Sequence, residues 1–279
     1  MIKKITDKYQ WETFLSKQQF QLFVQSWAYG EFNQKLGDDF FVLGIFDQNE
    51  DLIGGSLVLR VKAKRGDFFY CPYGPILDYS SKDQLSEFIE VLKQIAKDSK
   101  VSFIRISPFS EATTEAETNL KKIGFKSAPM HMIAENTWLL DLEQEEVDIL
   151  KNMNQNHRNL IRRAVKEGIT VQTSEEIQDV SKVHQLLQET ASRHKFVPFS
   201  LKYMEEEFRA FQNIGKAKIY FAFHEGDLIS ASIIYFYGNT AVYRHGASSS
   251  NKSKLPSSYA IQWQAIQDAK SRGLKYYNF

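Results

Sequence analysis

The sequence predicts an α+β fold with a mixed sheet, built twice along the chain. Two observations carry this. Phe41 to Arg60 reads as a strand, an acidic turn and a returning strand opened by Asp51-Leu52-Ile53-Gly54, and Ile219 to Tyr235 reads the same way around Asp227-Leu228-Ile229-Ser230. In each half a third strand then meets a glycine, Gly74 or Gly246, before a long helix and a further strand. Self-similarity at this distance marks a repeated unit. A chain of 279 residues is long enough for two domains that each bury a core. The boundary is expected near Ala134–Thr137, giving domains 1–135 and 136–279 without a Pro/Gly/Ser-rich linker.

The elements follow from spacing. A helix is expected from about Asp7 to Lys17, where Trp11, Phe14 and Leu15 share one face, and a second from Ser26 as N-cap, with Phe32 and Leu36 apolar. Phe40 to Phe46 is an apolar run of strand length, Leu52 to Val61 returns, and Phe68 to Cys71 is a third strand broken by Gly74-Pro75. An amphipathic helix is expected from Lys82 to Lys97, an alternating strand from Val101 to Ile106, and a helix from Glu111 to Ile123 stopped by Gly124. The second half opens with a strand from Thr137 to Leu142, a single helical stretch from Glu145 to Glu167, and a short strand at Ile169 to Gln172. Helices near Ile177–Arg193 and Leu201–Gln212 lead to strands at Lys218–Phe223, Leu228–Tyr237 and Thr240–His245, then a helix from Pro256 to Ser271. Leu274 to Phe279 reads as a strand cut at its last residue, so the second domain is expected to be truncated there and the chain to be a fragment.

Composition excludes several classes. Net charge is +1, so there is no global basic field of a dedicated nucleic-acid binder, and any anionic ligand must meet a local patch. The N-terminus lacks an apolar run behind its lysines and no stretch is apolar enough to span a bilayer. A cytoplasmic protein is expected, with any membrane contact peripheral, at the inner face. The single cysteine, Cys71, sits in an apolar strand without a positioned base. Neither a metal nor a cofactor is expected: HExxH, paired cysteines and GxGxxG are all missing. His131, Met130 and Met132 read as strand or loop packing.

Four stretches hold residues suited to chemistry. At the end of the third strand, Tyr73 and Asp78 either face a ligand at the sheet rim, or Asp78 caps the helix beginning near Ser81. Arg158, Arg162 and Lys166 recur at helical spacing, a cationic stripe for phosphates or an RNA backbone, or else a solvated face. Arg193 follows a helix end and can clamp a carboxylate or phosphate bidentately, whereas the adjacent His194 reads as structural or exposed. Tyr243 and Arg244 lead into a Gly/Ser-rich run with Lys252 and Lys254 before a helix, which reads either as an anion site or as a flexible polar loop.

The element order of each half resembles the GNAT acetyltransferase fold, but Arg244-His245-Gly246-Ala247-Ser248 does not give the Arg/Gln-x-x-Gly-x-Gly/Ala spacing of a coenzyme A loop. Several runs together resemble the Fem family of aminoacyltransferases that build peptidoglycan bridges (FemA, FemB, FemX). They are Gln25-Ser26-Trp27-Ala28, Tyr73-Gly74-Pro75 before Asp78, Thr137 to Leu142, Asn156 to Ala164 with Gly168, Tyr243 to Ser248, and Pro256 to Ile266 with Ala269, Gly273 and Tyr277. The resemblance implies two tandem GNAT-like domains, an aminoacyl-tRNA donor and a peptidoglycan precursor as acceptor, either UDP-MurNAc-pentapeptide or lipid II. It places the precursor in a channel of the first domain and at the domain interface. It implies Asp78 and Arg193 as catalytic, with Tyr73, Lys35, Tyr243, Arg244 and Phe279 on the substrate. Arg158, Arg162, Lys166, Lys252 and Lys254 are left for the tRNA or other anions. Glu31 stands where FemX-like members carry a precursor-binding lysine, with Lys35 a turn later, and Leu201 to Gly215 leaves no room for the coiled-coil arm of FemA-like members. The alternatives are an acyl-CoA-dependent N-acetyltransferase and a non-catalytic precursor-binding relative.

Overall fold

The computed structural model describes residues 1–64 and 66–279. They divide into two compact units, Met1–Asn136 and Thr137–Phe279. Unit one contains β1 (Ile2–Ile5), α1 (Lys8–Ser16), α2 (Trp27–Leu36), β2 (Asp39–Phe46), β3 (Leu52–Val61), β4 (Phe68–Pro72), α3 (Lys82–Asp98), β5 (Phe103–Ser107) and α4 (Thr114–Lys122). Its sheet runs β1-β2-β3-β4-β5. The first three junctions are antiparallel and β4–β5 is parallel. A parallel junction needs a crossover, and α3 supplies it, packing Leu85, Phe88, Ile89 and Leu92 with Leu43, Val58, Phe69 and Cys71 in one buried cluster. β1 escapes the sequence reading because its two central residues are lysines. Each covers an aromatic face, Lys3 over Phe46 at 4.4 Å and Lys4 over Phe41 at 4.8 Å.

Unit two contains β6 (Leu139–Asp141), α5 (Glu146–Asn152), α6 (Gln155–Lys166), β7 (Thr170–Ser174), α7 (Val180–His194), α8 (Leu201–Gln212), β8 (Ala217–His224), β9 (Asp227–Tyr237), β10 (Thr240–Ser248), α9 (Ser257–Ser271) and β11 (Tyr276–Asn278). Its sheet runs β6-β11-β10-β9-β8-β7. From β7 to β11 it repeats the order and directions of β1 to β5, again with only the last junction parallel. The likeness extends to an irregularity. The β2–β3 register skips Ile53 and the β8–β9 register skips Ile229, the same position of the Asp-Leu-Ile repeat. The core lies between the sheet and α9, where Ile261, Ala265 and Ile266 share a buried cluster with Tyr220, Ile234, Phe236 and Tyr277.

The single helix expected from Glu145 to Glu167 is two helices. The chain turns extended at Met153, and Asn154 starts α6 by accepting from the Asn156 amide at 2.9 Å. Among the described residues no helix is long and apolar enough to cross a membrane.

Candidate functional site

In unit one the long β3–β4 hairpin opens near its end. Tyr73, just past β4, takes a left-handed backbone with φ of 51°. Its ring meets the edge of Phe109, centroids 5.1 Å apart, and its hydroxyl donates to the Ala134 carbonyl at 3.1 Å. That bond ties the end of β4 to the segment 125–135, which runs beside β5. Between them lies a cleft of about 610 Å³, lined by Tyr73, by residues 103–108 and by residues 125–131 and 133–135, with Glu117, Leu120 and Lys121 from α4. Residues 103–108 line it consecutively, so the cleft follows the edge of β5 rather than one face of the sheet.

The charges in this cleft are unbalanced. Lys121 pairs with Glu117 at 2.6 Å, and His131 lies 3.3 Å from Glu135. Arg105 is half-buried and Lys126 exposed, and among the described residues neither makes an ion pair. A half-buried guanidinium without a carboxylate partner is costly unless an anion completes it. Of the strand or loop packing expected for His131, Met130 and Met132, the structure shows the loop. They lie in an irregular segment, with Met130 65% exposed, and His131 and Met130 line the cleft.

The other expected residues of unit one sit apart from this cleft. Asp78 is exposed and closes a local turn, accepting from the Ser80 hydroxyl at 2.7 Å and the Ser80 amide at 2.9 Å. The Ser80 hydroxyl, foremost, holds its carboxyl below the ordinary range. The bond Asp78 makes is this turn, ahead of Ser81 at the start of α3. Lys35 is exposed in the last turn of α2. Burial pushes the Cys71 thiol up to about 12, which leaves it without a thiolate at neutral pH.

Unit two contains a buried ionic cluster that the sequence reading missed. Glu207 of α8 is fully buried. Its carboxylate accepts from Arg244 Nε at 3.0 Å, pairs with Arg244 Nη2 at 2.8 Å, lies 2.7 Å from His245 Nε2, and accepts from the Tyr235 hydroxyl at 3.3 Å. A bulge makes this possible. The β9–β10 register passes from Tyr243 opposite Ile234 to His245 opposite Ile233, so Arg244 is the extra residue. Two consecutive side chains thereby reach one carboxylate. Burial works to raise the Glu207 pKa, but the Arg244 guanidinium and His245 outweigh it and hold it at about 2. Burial holds His245 below its ordinary value against the opposing pull of Glu207. An ionised carboxylate can only accept, so at 2.7 Å His245 donates its Nε2–H to Glu207. Arg244 also donates to the Tyr203 hydroxyl at 3.1 Å and lies 5.7 Å from the centre of the Phe199 ring, which stacks on Tyr203 and is half exposed. A braced cation beside an open aromatic face results. One sequence signal existed: Met204, Glu207, Phe208 and Phe211 fall on one face of α8, and a carboxylate on an apolar stripe requires a buried partner.

The remaining expected residues serve several ends. Arg193 donates to the Ser250 hydroxyl at 2.9 Å and to the Ser248 hydroxyl at 3.2 Å, holding the start of the serine run. Tyr243 faces the opposite side from Glu207, against the α9 core, and burial raises its pKa despite hydrogen bonds with Ser232 and Gln262. Its hydroxyl overlies Gly246, where an added Cβ would collide with it. Gly246→Ala is expected to displace the ring and cost about 1–3 kcal/mol, read as a lower melting temperature. Phe279 is half exposed, its ring 5.0 Å from that of Tyr277. Arg158 leaves the expected anion stripe: its guanidinium donates to the carbonyls of Lys151 and Met153 at the end of α5. Arg162 and Lys166 are exposed without ion pairs among the described residues. Lys252, expected to face an anion, is paired with Asp227 at 3.0 Å and Glu225 at 3.2 Å. Lys254 is exposed, its carbonyl accepting from Arg163 at 3.4 Å.

Among known proteins, a lipid II:glycine glycyltransferase of Staphylococcus saprophyticus is 26% identical over 184 residues, covering 62% of this chain and 44% of that protein. The chain thus spans less than half the length of this relative. A solved structure of FemX superposes with a TM-score of 0.85 at 19% identity, covering 100% of this chain and 88% of that one. A tandem GNAT protein of clavulanic acid biosynthesis gives 0.63 at 8% identity over 100% of this chain and 88% of that one. Both show the fold: two GNAT-like units in tandem. The family model described as the FemAB family matches residues 6–227, most of the chain, and the chain belongs to that family.

Proposed function

We propose that the chain is an aminoacyltransferase that moves an amino acid from an aminoacyl-tRNA to the peptide amine of a peptidoglycan precursor, UDP-MurNAc-pentapeptide or lipid II. Family membership and the activity named for the staphylococcal relative support this reading. The observation that carries it is the unit-one cleft: the half-buried Arg105, with Lys126 and His131 on the same lining and the Tyr73 hydroxyl at one end. An anionic ligand with a peptide portion matches that lining, the phosphates or carboxylates meeting the cations and the extended peptide following the edge of β5.

The chemistry asks little of the protein beyond alignment. The acceptor amine attacks the carbonyl of the aminoacyl ester, a C–N bond forms, the ester C–O bond breaks, and the ribose hydroxyl leaves carrying a proton that the amine sheds. The ester is already activated, so no covalent enzyme intermediate is required, and holding amine and ester together supplies the larger part of the rate. In this reading Arg105 and Tyr73 hold the acceptor. Arg244, fixed by Glu207, and Arg193 offer cations to the donor's phosphates, and Arg162, Lys166 and Lys254 meet its backbone. The test is transfer of radiolabelled amino acids from a pool of charged tRNAs to UDP-MurNAc-pentapeptide. Label in the precursor that disappears after ribonuclease treatment of the pool is expected. Label that never leaves the tRNA, with UDP-MurNAc-pentapeptide and with lipid II in its place, contradicts the proposal.

A further inference from the structure

Continuing the β3–β4 register beyond Leu59 opposite Tyr70 would place Leu57 opposite Pro72. The two strands do not meet there. The side-chain amide of Gln25 stands between them: its Oε1 accepts from the Leu57 amide at 2.8 Å and its Nε2 donates to the Pro72 carbonyl at 2.5 Å. A carboxamide has the donor and acceptor of a peptide group, so it replaces a rung of the ladder while widening it. Pro72 has no N–H to give the Leu57 carbonyl, and the Ser56 hydroxyl donates to that carbonyl instead, at 2.8 Å. Pairing resumes beyond the gap, where Gly55 and Ile76 exchange hydrogen bonds of 3.0 and 2.7 Å.

Tyr73 and Gly74 lie in the opened stretch. Gly74 rests on the wedge: a Cβ there would stand 2.5 Å from Ser56 Oγ and 2.7 Å from Gln25 Nε2. Gln25 is itself fixed. It is fully buried in a 3₁₀ turn, Phe23–Gln25, and its carbonyl accepts from the indole of the buried Trp11 at 2.7 Å.

We propose that Gln25 is a positioning residue for the unit-one cleft: its carboxamide holds β3 and β4 apart and thereby sets Tyr73 at the end of the cleft. This rests on the reading that the cleft takes the peptidoglycan precursor. Gln25 touches no ligand and acts through Tyr73.

The experiment uses the full chain with 3-fluorotyrosine placed at position 73, in wild type and in Gln25→Met, which keeps the length and removes the amide. The fluorine resonance is expected to shift or split in Gln25→Met. The KM for UDP-MurNAc-pentapeptide is expected to rise about tenfold, the loss of one hydrogen-bonding contact, with kcat within twofold. In a Tyr73→Phe background the same substitution is expected to add less than twofold, since both act through one hydroxyl. If Gln25→Met does not fold, Ser56→Ala loosens the same gap and is read the same way. An unmoved resonance in folded protein, or fully multiplicative effects of the two substitutions, overturns the proposal. A resonance that moves in a protein whose wild type binds no precursor supports the hold of Gln25 on Tyr73 and overturns the assignment of the cleft.

Discussion

Glu207→Ala is expected to destabilise unit two by about 3–5 kcal/mol, because it leaves the Arg244 guanidinium without its counter-charge. The His245 Nε2–H and the Tyr235 hydroxyl lose their acceptor with it. Glu207→Gln keeps the volume and isolates the electrostatic share. Thermal or urea denaturation measures both, and a variant as stable as wild type at pH 7 would show that the cluster holds nothing together. Acid titration gives a second reading. His245 is depressed below its ordinary 6.5 in the folded protein, so the unfolded chain binds its proton first and stability begins to fall as pH drops through that value. Glu207 is depressed from 4.5 to about 2. Its stabilisation is whole above the unfolded value and is lost as pH falls from 4.5 toward 2. Removing Glu207 is expected to abolish this lower arm of the acid transition.

The second large effect is on transfer rather than stability. Arg105→Ala is expected to raise the precursor KM about ten- to hundredfold, the worth of one or two charge-assisted hydrogen bonds. The melting temperature should stay within a degree or two of wild type, because Arg105 makes no ion pair among the described residues. Arg105→Lys keeps the charge without the planar fork and is expected to recover only part of the loss. Steady-state kinetics with varied precursor measures this, and an unchanged KM would remove Arg105 from the site.

How far the sequence could be read depends on how local each feature is. The hairpins and the repeat around Asp51-Leu52-Ile53 and Asp227-Leu228-Ile229 were legible because strand period and turn chemistry are local. The break between α5 and α6 was not read, although Asn154 is a capping residue, because Met153 and Leu160 lie seven apart and keep the two apolar faces in phase across it. The cleft was half legible. The Gly-Pro break pointed to Tyr73, but Arg105 looked like one more residue of an alternating strand, and the segment 125–135 has no period to read. Glu207 had a signal in its place on the apolar stripe of α8, but what it pairs with, like what Gln25 pairs with, was out of reach for a common reason. Their partners lie far along the chain, 37 and 38 residues from Glu207 to Arg244 and His245, and 32 and 47 residues from Gln25 to Leu57 and Pro72. Those contacts are made by a bulge in one case and by a gap between strands in the other, and neither leaves a mark in composition.

The central claim is that this chain takes its acyl group from a charged RNA and gives it to a cell-wall precursor. One intact-mass measurement tests it: UDP-MurNAc-pentapeptide incubated with the protein, a mixture of aminoacyl-tRNAs and acetyl-CoA together. The account predicts a precursor heavier by one amino-acid residue, with the mass naming the donor. A precursor carrying an acetyl group instead, with the aminoacyl-tRNAs untouched, would contradict it.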